Sequence, residues 1–181
     1  VLALDTSTAT LTLAIGVDGA IRAELAAGLR ARHGEIVFDQ IERALAMAEL
    51  TIHDIDRFAV GIGPGSFTGL RVGLSTMKGL AFATNKPIVG VSSLAILAAP
   101  FPCATVAPVL DAFKGEVYVA LYRDGREIEA PFHAPPEGAF ARLAALTSDP
   151  IVCGDGARKY ASMIRSGTLA SPVHDAPRAA H

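Results

Sequence analysis

Apolar residues along this chain fall into short runs whose period changes from two to helical. Val1–Asp5 is an apolar strand ending on a carboxylate. Thr10–Val17 and Ala20–Ala27 read as two further strands, joined at Asp18-Gly19, the residue pair that a two-residue hairpin turn favours. From Glu35 to Leu50 the apolar residues Val37, Ile41, Ala44, Leu45 and Ala48 recur at helical spacing. Thr51-Ile52-His53-Asp54 carries the cap-and-turn pattern. Phe58–Ile62 reads as a buried strand, Phe67–Thr84 as a helix capped at Ser66 or Thr68, and Pro87–Val91 as a strand. Ser92 or Ser93 then caps a short helix to Ala99. Three strands followed by alternating helices and strands predict a mixed sheet with helices on its faces.

A second set starts after Pro100. It comprises strands at Thr105–Asp111 and Gly115–Tyr122, a hairpin signal at Asp124-Gly125, and a helix at Ala139–Leu146. A strand at Ile151–Cys153 and a last helix at Ala157–Ile164 follow. The tail after Ser166 has no periodicity and is expected to fray. The two sets match. Sliding Asp5 onto Asp111 sets Ala14 on Ala120, Asp18-Gly19 on Asp124-Gly125, and Leu11, Leu13 and Ile15 on Val117, Val119 and Leu121. A duplicated unit is therefore expected, with lobes at 1–100 and 101–181.

In kinases and ATPases of the actin-like class, two such lobes hold a nucleotide and a metal ion. Asp5, Thr6, Ser7 and Asp111 are the candidate, vestigial phosphate site on that reading. Asp and Ser/Thr also stabilise tight turns, and that reading ranks first.

Between a strand and a helix lies Gly63-Pro64-Gly65-Ser66-Phe67-Thr68-Gly69-Leu70-Arg71-Val72-Gly73. Its spacing fails three catalytic patterns. A P-loop needs Gly-Lys-Ser/Thr where Gly69 is followed by Leu70 and Arg71. A dinucleotide fingerprint needs its third glycine one residue before Gly69, and Pro64 removes a backbone donor. A nucleophile elbow needs glycine where Pro64 stands. Gly69 and Gly73 share one helical face and would let another element approach. Leu70, Leu74, Met77 and Ala81 form an apolar stripe that Val72, Gly79 and Ala83 widen, while Arg71, Ser75 and Lys78 form the polar line. A helix apolar on two sides needs two partners, its own sheet and a second surface.

Composition narrows the function classes. The chain has 181 residues, 51% of them hydrophobic and 19% charged, which suits a packed globular protein. Sixteen Lys and Arg against eighteen Asp and Glu give a net charge of -2, unsuited to gripping nucleic acid unaided. Cys103 and Cys153 lack metal-type spacing and read as reduced thiols, in keeping with a cytoplasmic location. His33, His53, His133, His174 and His181 include no metal-ligand pair, so no catalytic or metal site is assigned. His33, after Arg30 and Arg32, reads as a solvated turn first and an anion or partner contact second. The first residue is not Met, and the start of the natural chain is expected to lie upstream.

Several blocks, in this order, resemble one family. They are Leu2-Ala3-Leu4-Asp5-Thr6-Ser7-Thr8, Arg32-His33, the glycine block from Gly63 to Gly73, and Lys78-Gly79-Leu80-Ala81. Gly90-Val91-Ser92-Ser93-Leu94 and Asp111 with Gly115-Glu116-Val117-Tyr118 complete the set. Together they are similar to the TsaB (YeaZ) family of tRNA-modification proteins, from about Leu2 to about Gly156. The resemblance implies an actin-like, ribonuclease-H-like fold of two related lobes. It implies a non-catalytic scaffold role in making N6-threonylcarbamoyladenosine beside the anticodon. Chemistry would belong to a TsaD-like paralogue, with ATP and metal on the partners and a TsaE-like ATPase completing the complex. The chain alone would form a homodimer through its first-lobe helices. The expected interface residues are His33, Val37, Ile41, Gly69, Leu70, Gly73, Leu74 and Met77. The family runs further at its C-terminus, so the second lobe is expected to be incomplete. An ATP-dependent phosphotransferase of the actin-like class is the alternative; a protease is not expected.

Overall fold

The computed structural model describes residues 1–28 and 33–181, with side chains from residue 36 onward in the first helix. Arg30 and Arg32, and the side chain of His33, lie outside the described residues. The chain divides into two compact units, Val1–Ser93 with Arg178–Ala180, and Leu94–Pro177 with His181.

The first unit holds strands β1 (Leu2–Asp5), β2 (Thr10–Val17) and β3 (Ala20–Gly28), then helix α1 (His33–Ala48) and β4 (Phe58–Gly61). Helix α2 (Phe67–Thr84) and β5 (Ile88–Val91) complete it. The sheet order is β3-β2-β1-β4-β5. β1 pairs antiparallel with β2 and parallel with β4, and β4 pairs parallel with β5. Asp18 and Gly19 both have positive φ, 50° and 78°, which the hairpin turn between β2 and β3 requires. Leu2, Leu4, Leu13, Ile15, Phe58 and Val60 point to one face and pack with Val37, Ile41, Met77 and Ala81 of the two helices. Full burial of each large side chain there contributes about 1.5–3 kcal/mol. Between α1 and β4, the Asp54 carboxylate accepts from the Thr51 N–H at 2.8 Å and its hydroxyl at 2.7 Å, closing the predicted cap.

The second unit begins with α3 (Ser93–Ala98), whose first residue closes the first unit, and runs through β6 (Thr105–Phe113), β7 (Glu116–Arg123) and β8 (Arg126–Ala134). It continues with α4 (Pro136–Leu146), β9 (Ile151–Cys153), α5 (Asp155–Lys159) and β10 (Thr168–Leu169). Its sheet order, β10-β9-β6-β7-β8, is the first sheet's order with each strand replaced by its counterpart. α4 and α5 cover one face and α3 the other. The duplication is therefore real at the level of topology, and the fold is the expected α/β one of the actin-like class.

Two expectations for the C-terminal part change. The helix expected over Ala157–Ile164 is shorter: α5 ends at Lys159 and a separate 3-10 turn spans Ala161–Met163. The tail after Ser166 supplies β10, which pairs parallel with β9 through Thr168 and Leu169. Farther on, the Arg178 guanidinium grips the Glu24 carboxylate at 2.7 and 2.6 Å, and the Ala179 N–H donates to Thr12 Oγ1 at 3.2 Å. That end of the chain lies against β2 and β3, on the face opposite α1 and α2.

Candidate functional site

The glycine block and the turn after β1 are one structure. Ser66 caps α2 by accepting from the Gly69 N–H at 3.3 Å, and its own N–H donates to Ser7 O at 2.7 Å. Gly65, at φ 156°, lies so close to Ser7 that a Cβ would overlap its carbonyl. A Cβ on Gly69 would overlap Thr6 O, and one on Gly73 would overlap Thr6 Oγ1. Thr6 Oγ1 in turn donates to Gly69 O at 2.8 Å. The first turns of α2 are thus pressed onto the chain's own Thr6-Ser7 segment.

This corrects the reading of Gly69 and Gly73 as an opening for another protein. Both are buried, and the element that approaches them is the β1 turn. Val37, Ile41 and Met77 are likewise core residues, at most 3% exposed. They form the inner side of α1 and α2, because their spacing puts them with Leu2, Leu4 and Val60 rather than with solvent. Leu70 and Leu74 are half-buried.

Asp5 is buried completely. Its Oδ1 accepts from the Ser7 N–H at 2.8 Å and the Ser7 hydroxyl at 2.6 Å, and its Oδ2 accepts from the Ser93 hydroxyl at 2.7 Å. Gly61 makes room, since a Cβ there would overlap Oδ2. Burial raises the carboxyl above its ordinary value, and the three hydrogen bonds oppose that shift without cancelling it. Thr6, Ser7 and Thr8 are also buried. The hydroxyls that suggested a phosphate contact serve the turn, and turn chemistry is the reading that the geometry carries.

Asp111 is a different case. Its Oδ1 accepts from the Phe113 N–H at 3.2 Å, and its Oδ2 meets Lys159 Nζ at 2.8 Å. The Asp111 N–H donates to the Asp155 carboxylate at 2.9 Å, and burial raises the Asp155 carboxyl. Asp5 and Asp111 do not occupy equivalent places. The slide that aligned them puts Leu4 on Leu110 and Leu13 on Val119. The first sheet pairs Leu4 with Leu13, whereas the second pairs Val109 with Val119. The second sheet is one residue out of step, so the position matching Asp5 is Leu110. The cause is which residues face the helices: Leu2 and Leu4 in one unit, Ala107 and Val109 in the other.

Two features escaped sequence reasoning. Gly154-Asp155-Gly156 is the second unit's close-approach loop: a Cβ on Gly154 would overlap Val109 O, and one on Gly156 would fall within 2.9 Å of Asp111 N. Its signal was a glycine pair directly after a short strand. The other feature is the outward stripe of α2. Phe67, Arg71, Ser75, Lys78 and Phe82 are all exposed at successive helical spacing, with Phe67 at 73% and Phe82 at 90%. Two aromatics aligned with the predicted polar line were the available sign. On α1, Phe38 and Met47 are also exposed.

Among the described residues, no group of three His, Cys, Asp or Glu side chains is placed to hold a metal ion. No described helix is long and apolar enough to cross a membrane.

Comparison with known proteins agrees with this architecture. Residues 26–172 match the family model described as TsaD, tRNA N6-adenosine threonylcarbamoyltransferase. The chain is 33% identical over 167 residues to the tRNA threonylcarbamoyladenosine biosynthesis protein TsaB of Escherichia coli, covering 86% of this chain and 71% of that protein. It is 35% identical over 126 residues to TsaB of Bacillus subtilis, covering 68% of this chain and 55% of that one. Among solved structures, YeaZ from Pseudomonas aeruginosa superposes with a TM-score of 0.80 at 30% identity, covering 99% of this chain and 86% of that one.

Proposed function

The chain belongs to the TsaB (YeaZ) family, and from that premise we propose that it is a non-catalytic scaffold in tRNA threonylcarbamoylation. Its partner would be a TsaD-like catalytic paralogue, with a TsaE-like ATPase completing the complex and tRNA reached through the assembly. ATP and metal would sit on those partners. In the absence of the paralogue a second copy would occupy the same surface as a homodimer.

The observation that carries this reading is the exposure of Phe82 and Phe67 on the outward stripe of α2. Aromatic side chains in open water on a helix are unfavourable, and aromatics anchor the centres of protein interfaces. Arg71, whose guanidinium carbon lies 5.5 Å from the Phe67 ring centroid, adds a residue type enriched at such surfaces. The contact surface is this outer stripe, rather than the buried Gly69, Gly73 and Met77.

The rival reading, phosphotransfer at Asp5, has less support because both of its oxygens already accept hydrogen bonds from the chain. The test is reconstitution. Threonylcarbamoyl transfer to tRNA is measured with a TsaD-like paralogue and a TsaE-like ATPase, with and without this chain. Transfer is expected to depend on the chain, which shows no turnover alone. Phe82→Asp is expected to abolish co-elution with the paralogue while leaving the melting curve unchanged. Transfer that proceeds equally well without the chain would overturn the proposal.

A further inference from the structure

The outermost strand of the first sheet carries an unfilled edge. β5 is bonded to β4 alone among the described strands. Its Pro87 and Val91 carbonyls accept from the Phe58 and Ile62 N–H groups, each at 2.9 Å. Because strands alternate, the N–H and C=O groups of Ile88 and Gly90 turn to the outer side. Natural edges are usually blunted by proline, charge or a bulge. Here Pro87 faces β4, and Ile88 and Val89 are exposed apolar side chains.

Beside this edge lies a surface cavity of about 560 Å³, lined by Lys78, Phe82, Asn85, Lys86, Pro87 and Ile88. Its lining sets the apolar Phe82, Pro87 and Ile88, with Ala81, beside the lysines Lys78 and Lys86. Lys86 is 4.0 Å from the largely exposed Asp56, which leaves it only loosely engaged.

We propose that the β5 edge receives an extended strand of another protein whose cavity-facing residues, every second one, are an apolar residue flanked by acidic ones. The strand's backbone pairs with Ile88 and Gly90. One apolar side chain enters the cavity against Phe82 and Ile88, and carboxylates meet Lys78 and Lys86. Strand addition of this kind takes affinity from the main chain and specificity from alternate side chains. A second copy of this chain fits less well. Pairing through a second β5, Ile88–Val91, brings no carboxylate to Lys78 and Lys86. The site shares Lys78 and Phe82 with the proposed scaffold surface, and pairing at the Ile88 and Gly90 amides, which that surface does not use, distinguishes the two.

The probe is the short blocked peptide Thr-Glu-Thr-Val-Thr-Glu-Thr, compared with its counterpart carrying Lys in place of Glu, titrated into the full chain. Binding is read by fluorescence anisotropy and by amide hydrogen exchange. The Glu peptide is expected to bind and to slow exchange at the Ile88 and Gly90 amides. The double variant Lys78→Glu with Lys86→Glu is expected to weaken that binding by about tenfold and to favour the Lys peptide. Both substitutions are at the surface, and an unchanged melting curve verifies the fold. Equal affinity for the two peptides, or binding without protection at Ile88 and Gly90, overturns the proposal. Protection that rises with protein concentration in the absence of peptide overturns it in favour of a second copy.

Discussion

Thr6 occupies the space that a side chain on Gly73 would need. Its Oγ1 lies where the Gly73 Cβ would be, and the same oxygen donates to Gly69 O one turn earlier. The two glycines therefore seat α2 on the end of β1. Gly79, on the same helix, has nothing within 4 Å of its Cβ position.

The three glycines should consequently respond in opposite directions. Gly69→Ala and Gly73→Ala are expected to lose about 1–3 kcal/mol, because the added methyl meets a backbone carbonyl or a bonded hydroxyl. Gly79→Ala is expected to gain about 0.5–1 kcal/mol from helix propensity alone. Urea unfolding of the three variants is the measurement. Losses at all three would mean that helix packing does not distinguish them. A bulky residue at Gly73 would disturb folding before it reported on any interface.

Much of the first unit was legible in advance, for physical reasons. The period-two runs gave β1 to β3, and Phe67–Thr84 agreed at both ends because Ser66 caps the helix and Asn85 closes it with φ 53°. What could not be read was where the glycines point. Gly69 and Gly73 share a face whichever element covers it, and only the chain path brings Thr6 there. The Asp5–Asp111 match misled for a related reason. Strand register is set by the face that the helices bury, and a slide of sequence on sequence cannot see it. β10 escaped because two residues carry no period; pairing with β9 defines them.

Near its end the chain is tied to the first sheet by named bonds. Arg178 and Ala179 bond to Glu24 and Thr12. Arg178→Ala is expected to speed amide exchange at Ala179 while costing under about 1 kcal/mol, since the pair is partly solvated. Unaltered exchange at Ala179 would show that other contacts hold the segment.

The cysteines should separate chemically. The Cys153 thiol is pushed up to about 12, chiefly by burial and then by the charge of Asp175, whereas Cys103 is exposed. A thiol reagent at mildly alkaline pH is expected to modify Cys103 alone in the native chain and both residues in denaturant. Rapid native labelling of Cys153, located by peptide mapping, would contradict this burial.

Asp5 links the turn to pH. Burial raises its carboxyl in the folded chain above 3.8, so the folded state holds the proton more tightly than the unfolded one. The associated stability is complete below 3.8 and is lost as pH rises through the raised folded value. Asp5→Asn keeps the shape and cannot ionise. Its stability relative to the parent should therefore rise with pH across that window and level off above it. Asp155, whose carboxyl is also raised, is common to both proteins and cancels in the difference. Asp5→Ala is expected to lose about 2–4 kcal/mol at the acid end, because the Ser7 N–H and two hydroxyls are left without their acceptor, and that deficit shrinks as the parent's Asp5 ionises. Urea unfolding of the three proteins at a series of pH values from about 4 upward separates the effects. A flat difference between Asn and parent would mean that Asp5 keeps one protonation state throughout, and that its hydrogen bonds alone fix the turn.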